Sequence, residues 1–307
     1  MILNSRRQAA TVRQLVLWGE KQLLQAGIAF GHGTDNALDE AAWLVGSTIG
    51  ITPDALDRSL DRHLNPEQVA AVHRIIDARI RNRKPAAYLL QEAWFAGLRF
   101  YVDERVIVPR SLIGEFVLEQ FQPWIDGARV HRVLDLCTGS GCIAVALAKA
   151  FPQAGVDAAD ISAEALDVAR INVAAYGLDD RIRLLRSDLF DALGGEKYDL
   201  IVSNPPYVSA GELAALPEEY RHEPQLALAS GTDGLDAVTR ILTEAADHLL
   251  PGGILVVEVG NSRPALEQRF PQLPFMWLCT QTGDESVFLL DQAQLTPRDP
   301  GRIESPE

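Results

Sequence analysis

Arg132-Val133-Leu134-Asp135-Leu136-Cys137-Thr138-Gly139-Ser140-Gly141 decides the architecture of this chain. After Arg132, the next four residues, aliphatic around one acid, complete what reads as a buried strand. The two glycines that follow let a ligand come close to the backbone. The apolar run over 141–151 then reads as a helix. Strand, glycine loop and helix in that order open an α/β unit. Gly139-Ser140-Gly141-Cys142-Ile143-Ala144 also satisfies G-x-G-x-x-A, so the loop alone leaves a nicotinamide-dependent dehydrogenase open.

The alternation continues downstream. Residues 156–160 form a second strand, and Ser162 caps a helix running to about Tyr176. Residues 181–186 and 198–203 are further strands. A helix over about 236–250 is broken by Pro251-Gly252-Gly253, and 254–259 is the fifth strand. Two last strands, near 275–280 and 286–290, read as an antiparallel hairpin at the sheet edge. The fold class is therefore α/β, a doubly wound sheet with right-handed crossovers.

Upstream, residues 1–85 read as a helical bundle. Val12, Leu15, Val16, Gly19 and Leu23 keep a helical period, as do Leu38, Ala42, Val45 and Ile49. A third helix opens with Asn65 as N-cap, Pro66 in its first turn and Gln68 completing a capping box, and Pro85 ends it. Trp18 and Trp43 read as core. Residues 86–110 read as a β-hairpin linker, with Tyr88-Leu89-Leu90 and Phe100-Tyr101-Val102 about Gly97, then Val106-Ile107-Val108. The domain of interest spans 111–295. The Pro-rich and charged tail, from Gln294 and wholly over 296–307, is expected to be disordered.

Composition narrows the function. The chain has 307 residues and a net charge of −14, which opposes a grip on duplex DNA and favours small molecules or a basic partner. No apolar run is long enough to span a bilayer, and the N-terminus lacks a signal-peptide core, so a cytoplasmic protein without membrane contact is expected. Cys137, Cys142 and Cys279 have neither disulfide nor zinc spacing, and no metal site is expected.

Asn204-Pro205-Pro206-Tyr207 follows the strand at 198–203. Two prolines remove two donors and fix φ, holding an amide and a ring rigidly at a strand's C-terminal end. Such a corner suits a planar group bearing an NH2. Asp135, Asp160 and Asp188 stand at the ends of consecutive strands. An Asp there also serves as a cap or turn former. Next to the glycine loop, however, Asp135 would repel a pyrophosphate and attract the ammonium or sulfonium of S-adenosylmethionine. Asp160 can accept from ribose hydroxyls. Asp188 can accept from the adenine amino group, with Leu189 and Phe190 as walls for the ring.

On these residues the sequence resembles class I S-adenosylmethionine-dependent methyltransferases, which implies a Rossmann-like, mixed seven-stranded sheet with an antiparallel edge hairpin and a small N-terminal helical domain. Asn204-Pro205-Pro206-Tyr207 matches amino-methyltransferases of adenine, guanine or glutamine. Lys84-Pro85-Ala86-Ala87-Tyr88-Leu89, Val108-Pro109-Arg110, Glu223-Pro224 and Ser230-Gly231-Thr232-Asp233-Gly234-Leu235 resemble the HemK-like protein-(glutamine-N5) methyltransferases. Within them, Cys137, Ser111 with Ile113-Gly114-Glu115, the stretch from Leu216 to Pro224 and Glu258-Val259-Gly260-Asn261-Ser262 resemble the branch acting on the third large-subunit ribosomal protein. Cys137 departs from the usual loop pattern and is expected to fit at negative φ.

The resemblance implies S-adenosyl-L-methionine as cofactor, bound by Asp135, Cys137, Thr138, Gly139, Ser140, Gly141, Asp160, Ile161, Ser187, Asp188, Leu189 and Asn204. It implies catalysis by Asn204, Pro205, Pro206 and Tyr207, substrate recognition by the helical region, and a ribosomal-protein partner, free or in an assembling large subunit. His222 is expected to be structural and no general base is needed. Glutamine methylation of peptide-chain release factors stays an alternative, as does adenine N6-methylation of nucleic acid.

Overall fold

The computed structural model describes residues 10–295. Helices come first: α1 (Val12–Gln25), α2 (Ala37–Thr48), α3 (Pro53–Ser59) and α4 (Pro66–Asn82). The capping box expected at Asn65 is present, and Thr11 builds another on α1. Their apolar stripes close one core around Leu23, Leu44, Val72 and Ile76, with Trp18 and Trp43 packed at its edge. The periodicity gave no sign of α3, which buries no side chain fully. A left-handed Arg83 ends α4 before Pro85 is reached.

The connecting segment differs from its reading. Tyr88-Leu89-Leu90 lies in a helix, α5 (Ala86–Leu90), which Pro85 opens. The hairpin is shorter: β1 (Ala93–Phe95) pairs with β2 (Leu98–Phe100) through Ala96 and Gly97, both at positive φ as such a turn requires. Residues 106–108 form no strand. Tyr88, Val102, Val106 and Val108 pack instead on Ala165 and Val168. Then comes α6 (Ile113–Leu118), which the sequence reading lacked.

The alternating part follows the reading closely: β3 (Arg132–Leu136), α7 (Cys142–Ala150), β4 (Gly155–Asp160), α8 (Ala163–Ala175), β5 (Ile182–Arg186) and β6 (Tyr198–Ser203). After α9 (Ala210–Ala215) come α10 (Asp236–His248), β7 (Leu249–Glu258), α11 (Arg263–Arg269), β8 (Met276–Leu278), β9 (Val287–Asp291) and α12 (Gln292–Leu295). Pro251-Gly252-Gly253 does not separate helix from strand. It is an irregularity inside β7, where pairing passes from Tyr198 opposite Leu249 to Leu200 opposite Ile254. Gln294 and Leu295, expected in the tail, close α12. Residues 296–307 lie outside the described residues.

The seven strands run in the order β5-β4-β3-β6-β7-β9-β8. All neighbouring pairs up to β7 are parallel, and β9 is antiparallel to both β7 and β8. β9 therefore sits between β7 and the edge strand. One face of the sheet packs Val133, Leu200 and Val256 against α6 and α7. The other packs Leu134, Leu136, Leu255 and Val257 against α10 and α11. Strand order reverses between β3 and β6, which opens a crevice at their C-terminal ends.

Candidate active site

Two cavities meet at that crevice. One, of about 300 Å3, is lined by Cys137, Gly139, Asp160, Ile161, Ser187, Asp188, Leu189, Asn204 and Pro206 among others. The other, of about 200 Å3, is lined by Pro205, Tyr207, Arg110, Leu216, Tyr220 and Asn261 with their neighbours. Asn204, Ile107 and Ala227 line both. The side chain of Asn204 and the carbonyl of Pro205 make no hydrogen bond to any described residue, so both stand uncommitted at the junction.

Most of the expected nucleoside-facing residues reach the first cavity, each set there by a strand end. Asp160 ends β4; its two oxygens accept from the N–H groups of Gly139 and Ser162, both at 2.9 Å. Burial pushes its pKa up, and the amides of Ser162, Gly139 and Ile161 work against that. Gly139 lines the cavity at φ 54, and a Cβ there would meet nothing within 4 Å, leaving open floor for a ligand. Leu189 is held at φ 49, its carbonyl accepting from the Ser187 hydroxyl at 2.7 Å. Phe190 is not a wall. It turns into the core and stacks on His248 with ring centroids 4.7 Å apart. Asp188 does not stand free: Arg240 on α10 donates to it at 2.8 Å and to Asp191 at 3.3 Å. Arg240 lines the cavity too, and nothing in the sequence flagged it.

Asp135, Thr138, Ser140 and Gly141 support the loop from behind and do not line the cavity. Strand alternation explains Asp135: it shares the Val133 face, under the start of α7. It is fully buried; one oxygen accepts from the Thr138 hydroxyl at 2.5 Å, and Oδ1 lacks a close partner. Burial pushes its pKa up to about 7, outweighing the Thr138 hydroxyl and the Ala144 amide. Its ordinary value is 3.8. Between these values the folded ligand-free chain binds the proton that the unfolded chain releases. Stability should therefore fall as pH rises from about 4 to about 7. Asp135→Asn should flatten that slope, as urea denaturation at the two ends of the window would measure.

Cys137 corrects the expectation of negative φ: it sits at φ 59. A side chain in that region is strained, and here it packs against the core on the α10 side. Burial raises its thiol pKa, so it is not a thiolate nucleophile.

The second cavity is braced by two buried carboxylates that tie distant sequence stretches together. Glu223 accepts from the Val108 N–H at 3.0 Å and binds the Arg110 guanidinium through two bonds of 2.5 and 2.8 Å. Glu258 accepts from the Ser111 hydroxyl at 2.6 Å, the Leu112 N–H at 3.0 Å and the Tyr207 hydroxyl at 3.4 Å. Burial pushes the pKa of Glu258 up, and that of Tyr207 as well. Val108-Pro109-Arg110-Ser111 is thus pinned at both ends, by the two stretches named with it on sequence grounds. Its position in the cavity wall could not be read from the sequence.

Gly260 makes room for the Tyr207 ring: a Cβ there would lie 2.5 Å from the ring edge, and φ is 49. Gly260→Ala should displace the ring and lower kcat about 100-fold, since misplacements near 1 Å cost that much. A methyl-transfer assay beside a melting curve would separate this from unfolding.

The turn over Glu218–His222 roofs the second cavity and is anchored to the helical region. Arg79 donates to Glu40 at 2.7 Å and reaches Glu219 at 3.5 Å, all three fully buried. His222 bonds the Asn82 carbonyl at 2.9 Å and Glu104 at 3.4 Å, a structural placement away from both cavities. The cations of the one basic stretch, 79–84, are taken up by Glu40, Glu219, Asp77 and Glu104.

Among the described residues no helix is long and apolar enough to cross a membrane. Residues 115–219 match the family model "Methyltransferase small domain". The solved catalytic domain of hMettl16, in complex with MAT2A 3′UTR hairpin 6, superposes with a TM-score of 0.50 at 17% identity, covering 74% of this chain and 81% of that one, a likeness of fold. Fold, crevice and family model together define a class I methyltransferase.

Two relatives refine that class. A ribosomal protein uL3 glutamine methyltransferase of Burkholderia pseudomallei (strain K96243) is 52% identical, over 93% of this chain and 95% of that protein. One of the same description from Neisseria meningitidis serogroup B is 50% identical over 96% and 97%. The chain belongs to the ribosomal protein uL3 glutamine methyltransferase family.

Proposed function

We propose that this protein transfers a methyl group from S-adenosyl-L-methionine to the side-chain amide nitrogen (N5) of a glutamine in ribosomal protein uL3. The observation that carries the reading is the uncommitted pair at the junction of the two cavities, the Asn204 amide and the Pro205 carbonyl. The cofactor, when bound, supplies an electrophilic methyl carbon on a sulfonium. The first cavity suits it: the bare floor at Gly139, the half-buried carboxylate of Asp160, and the apolar Ile161 and Leu189 match a ribose and a base.

In the second cavity Asn204 and Pro205 accept the two hydrogens of the substrate amide. An amide nitrogen is a poor nucleophile because its lone pair is delocalised. Two fixed acceptors orient it and draw electron density towards nitrogen, and the prolines keep them preorganised. Holding reactants in line contributes about 7–11 kcal/mol. Tyr207 stacks on the flat amide and excludes water. The proton leaves to solvent as the N–C bond forms, so no strong base is required.

Residues 111–295 carry the chemistry, residues 86–110 link, and the helical region over 1–85 recognises the protein substrate. That substrate is free uL3 or uL3 in an assembling large subunit, in the cytoplasm, and a basic ribosomal protein complements a chain of net charge −14. The neutralised stretch over 79–84 disfavours nucleic acid. The test is methyl transfer from radiolabelled S-adenosylmethionine to uL3, to release factors and to nucleic acid, each separately. Label on a glutamine of uL3 is expected. Label only in release factor would overturn the choice of substrate, and label only in nucleic acid would overturn protein methylation altogether.

A further inference from the structure

Two further hollows lie beyond Arg110. One, of about 450 Å3, is bounded by Arg110, Trp94, Asp35, Glu115 and Leu118. It shares Gly33 and Trp94 with another, of about 300 Å3, that reaches Trp43 and Asp39. Arg110 also lines the Tyr207 cavity, so the hollows adjoin that cavity and form a trough leading from Trp43 towards it. The trough offers exposed apolar surface, with Trp94 at 39% and Leu118 at 67% exposure.

Its charge is one-sided. Asp35, Asp39 and Glu115 form no ion pair with any described residue; Asp39 accepts from Asn36 at 2.8 Å and Glu115 from the Gln281 N–H at 2.9 Å. Arg110, the only base lining either hollow among the described residues, is neutralised by Glu223. Arg99, opposite Trp94 in the hairpin, is tied to Glu92 at 2.5 Å. Uncompensated carboxylates repel phosphate, and a second copy of a chain of net charge −14 would be repelled as well.

We propose that this trough seats an extended, basic segment of the protein substrate that flanks the glutamine entering the Tyr207 cavity. The proposal rests on the glutamine-methylating reading. Apolar contacts on Trp94 and Leu118 would supply affinity, and Asp35, Asp39 and Glu115 would supply charge selection.

The test measures KM and kcat on uL3, and S-adenosylmethionine affinity, for four proteins: wild type, Asp35→Lys/Glu115→Lys, Trp94→Ala, and the control Asp179→Lys/Asp180→Lys on an exposed loop elsewhere. The first double variant should raise KM about tenfold or more, with kcat and cofactor affinity within about twofold and its melting lowered by no more than about 4 °C through the lost Glu115–Gln281 bond. Trp94→Ala should raise KM about fivefold, and the control should not move it. Unchanged KM in both trough variants, or an equal rise in the control, overturns the proposal. If wild type labels no glutamine of uL3, the functional reading falls and takes the trough with it. If wild type labels uL3 and the trough variants keep their KM, only the trough falls.

Discussion

Asn204→Ala is expected to lower kcat about 10²–10³-fold, the loss measured when one preorganised hydrogen-bonding group is removed from a transition state. Nothing in the fold depends on this amide, which bonds no described residue, so melting should stay at the wild-type value. The first cavity keeps Gly139, Asp160, Asp188 and its apolar walls, so S-adenosylmethionine affinity should change less than about tenfold. Labelled methyl transfer beside calorimetric cofactor binding distinguishes the outcomes. A fall in cofactor affinity as large as the fall in kcat would mean that Asn204 serves the first cavity and not the amide.

Arg79→Met is expected to destabilise the protein by about 3–5 kcal/mol, because it strands Glu40 as a buried charge and leaves Glu219 with Arg83 as its one remaining cation among the described residues. That corresponds to a melting temperature lower by roughly 10 °C. The sign with pH follows from Glu40: burial raises its pKa and Arg79 opposes the rise. Without Arg79 the carboxyl takes up a proton more readily, so the deficit should shrink as pH is lowered. Glu219 also accepts from the Ala29 N–H at 3.0 Å, so its release loosens the turn that roofs the second cavity. The variant should therefore lose kcat/KM on the protein substrate while retaining cofactor affinity. Melting within about 2 °C of wild type would show that the triad contributes little beyond the desolvation it costs.

The alternating half of the fold was legible because its signals are local. The strands over 132–136 and 198–203 are apolar runs between turn residues, and Ser162 is an N-cap whose bond to the Ala165 N–H is present at 3.2 Å. The connecting segment was not. Tyr88-Leu89-Leu90 has strand-like composition, yet Pro85 and two alanines start a helix there, and Val106 and Val108 pack on α8 without pairing to any strand. The first is a local helix start that the apolar run masks, and the second is tertiary packing overriding propensity. Phe190 was misplaced because a residue after a strand can turn either to the crevice or to the core, and His248 decides it from α10.

By itself the sequence determined the class of fold and the motif-bearing loops at its C-terminal crevice. Strand period, caps, glycines and prolines act over a few residues and are written in order along the chain. Tertiary structure alone decided which of the acids faces a ligand. Asp160 reaches the cavity with both oxygens held by amides, Asp188 is met by Arg240, and Asp135 is turned under α7 by the two-residue period of β3. It also decided that Arg110, Glu223 and Glu258 brace the Tyr207 cavity, since Glu223 and Glu258 each lie more than a hundred residues from the Arg110-Ser111 stretch they bind and meet it only through the packed sheet and turn. No local signal carries such a meeting, because it depends on how the whole chain excludes water from its cores.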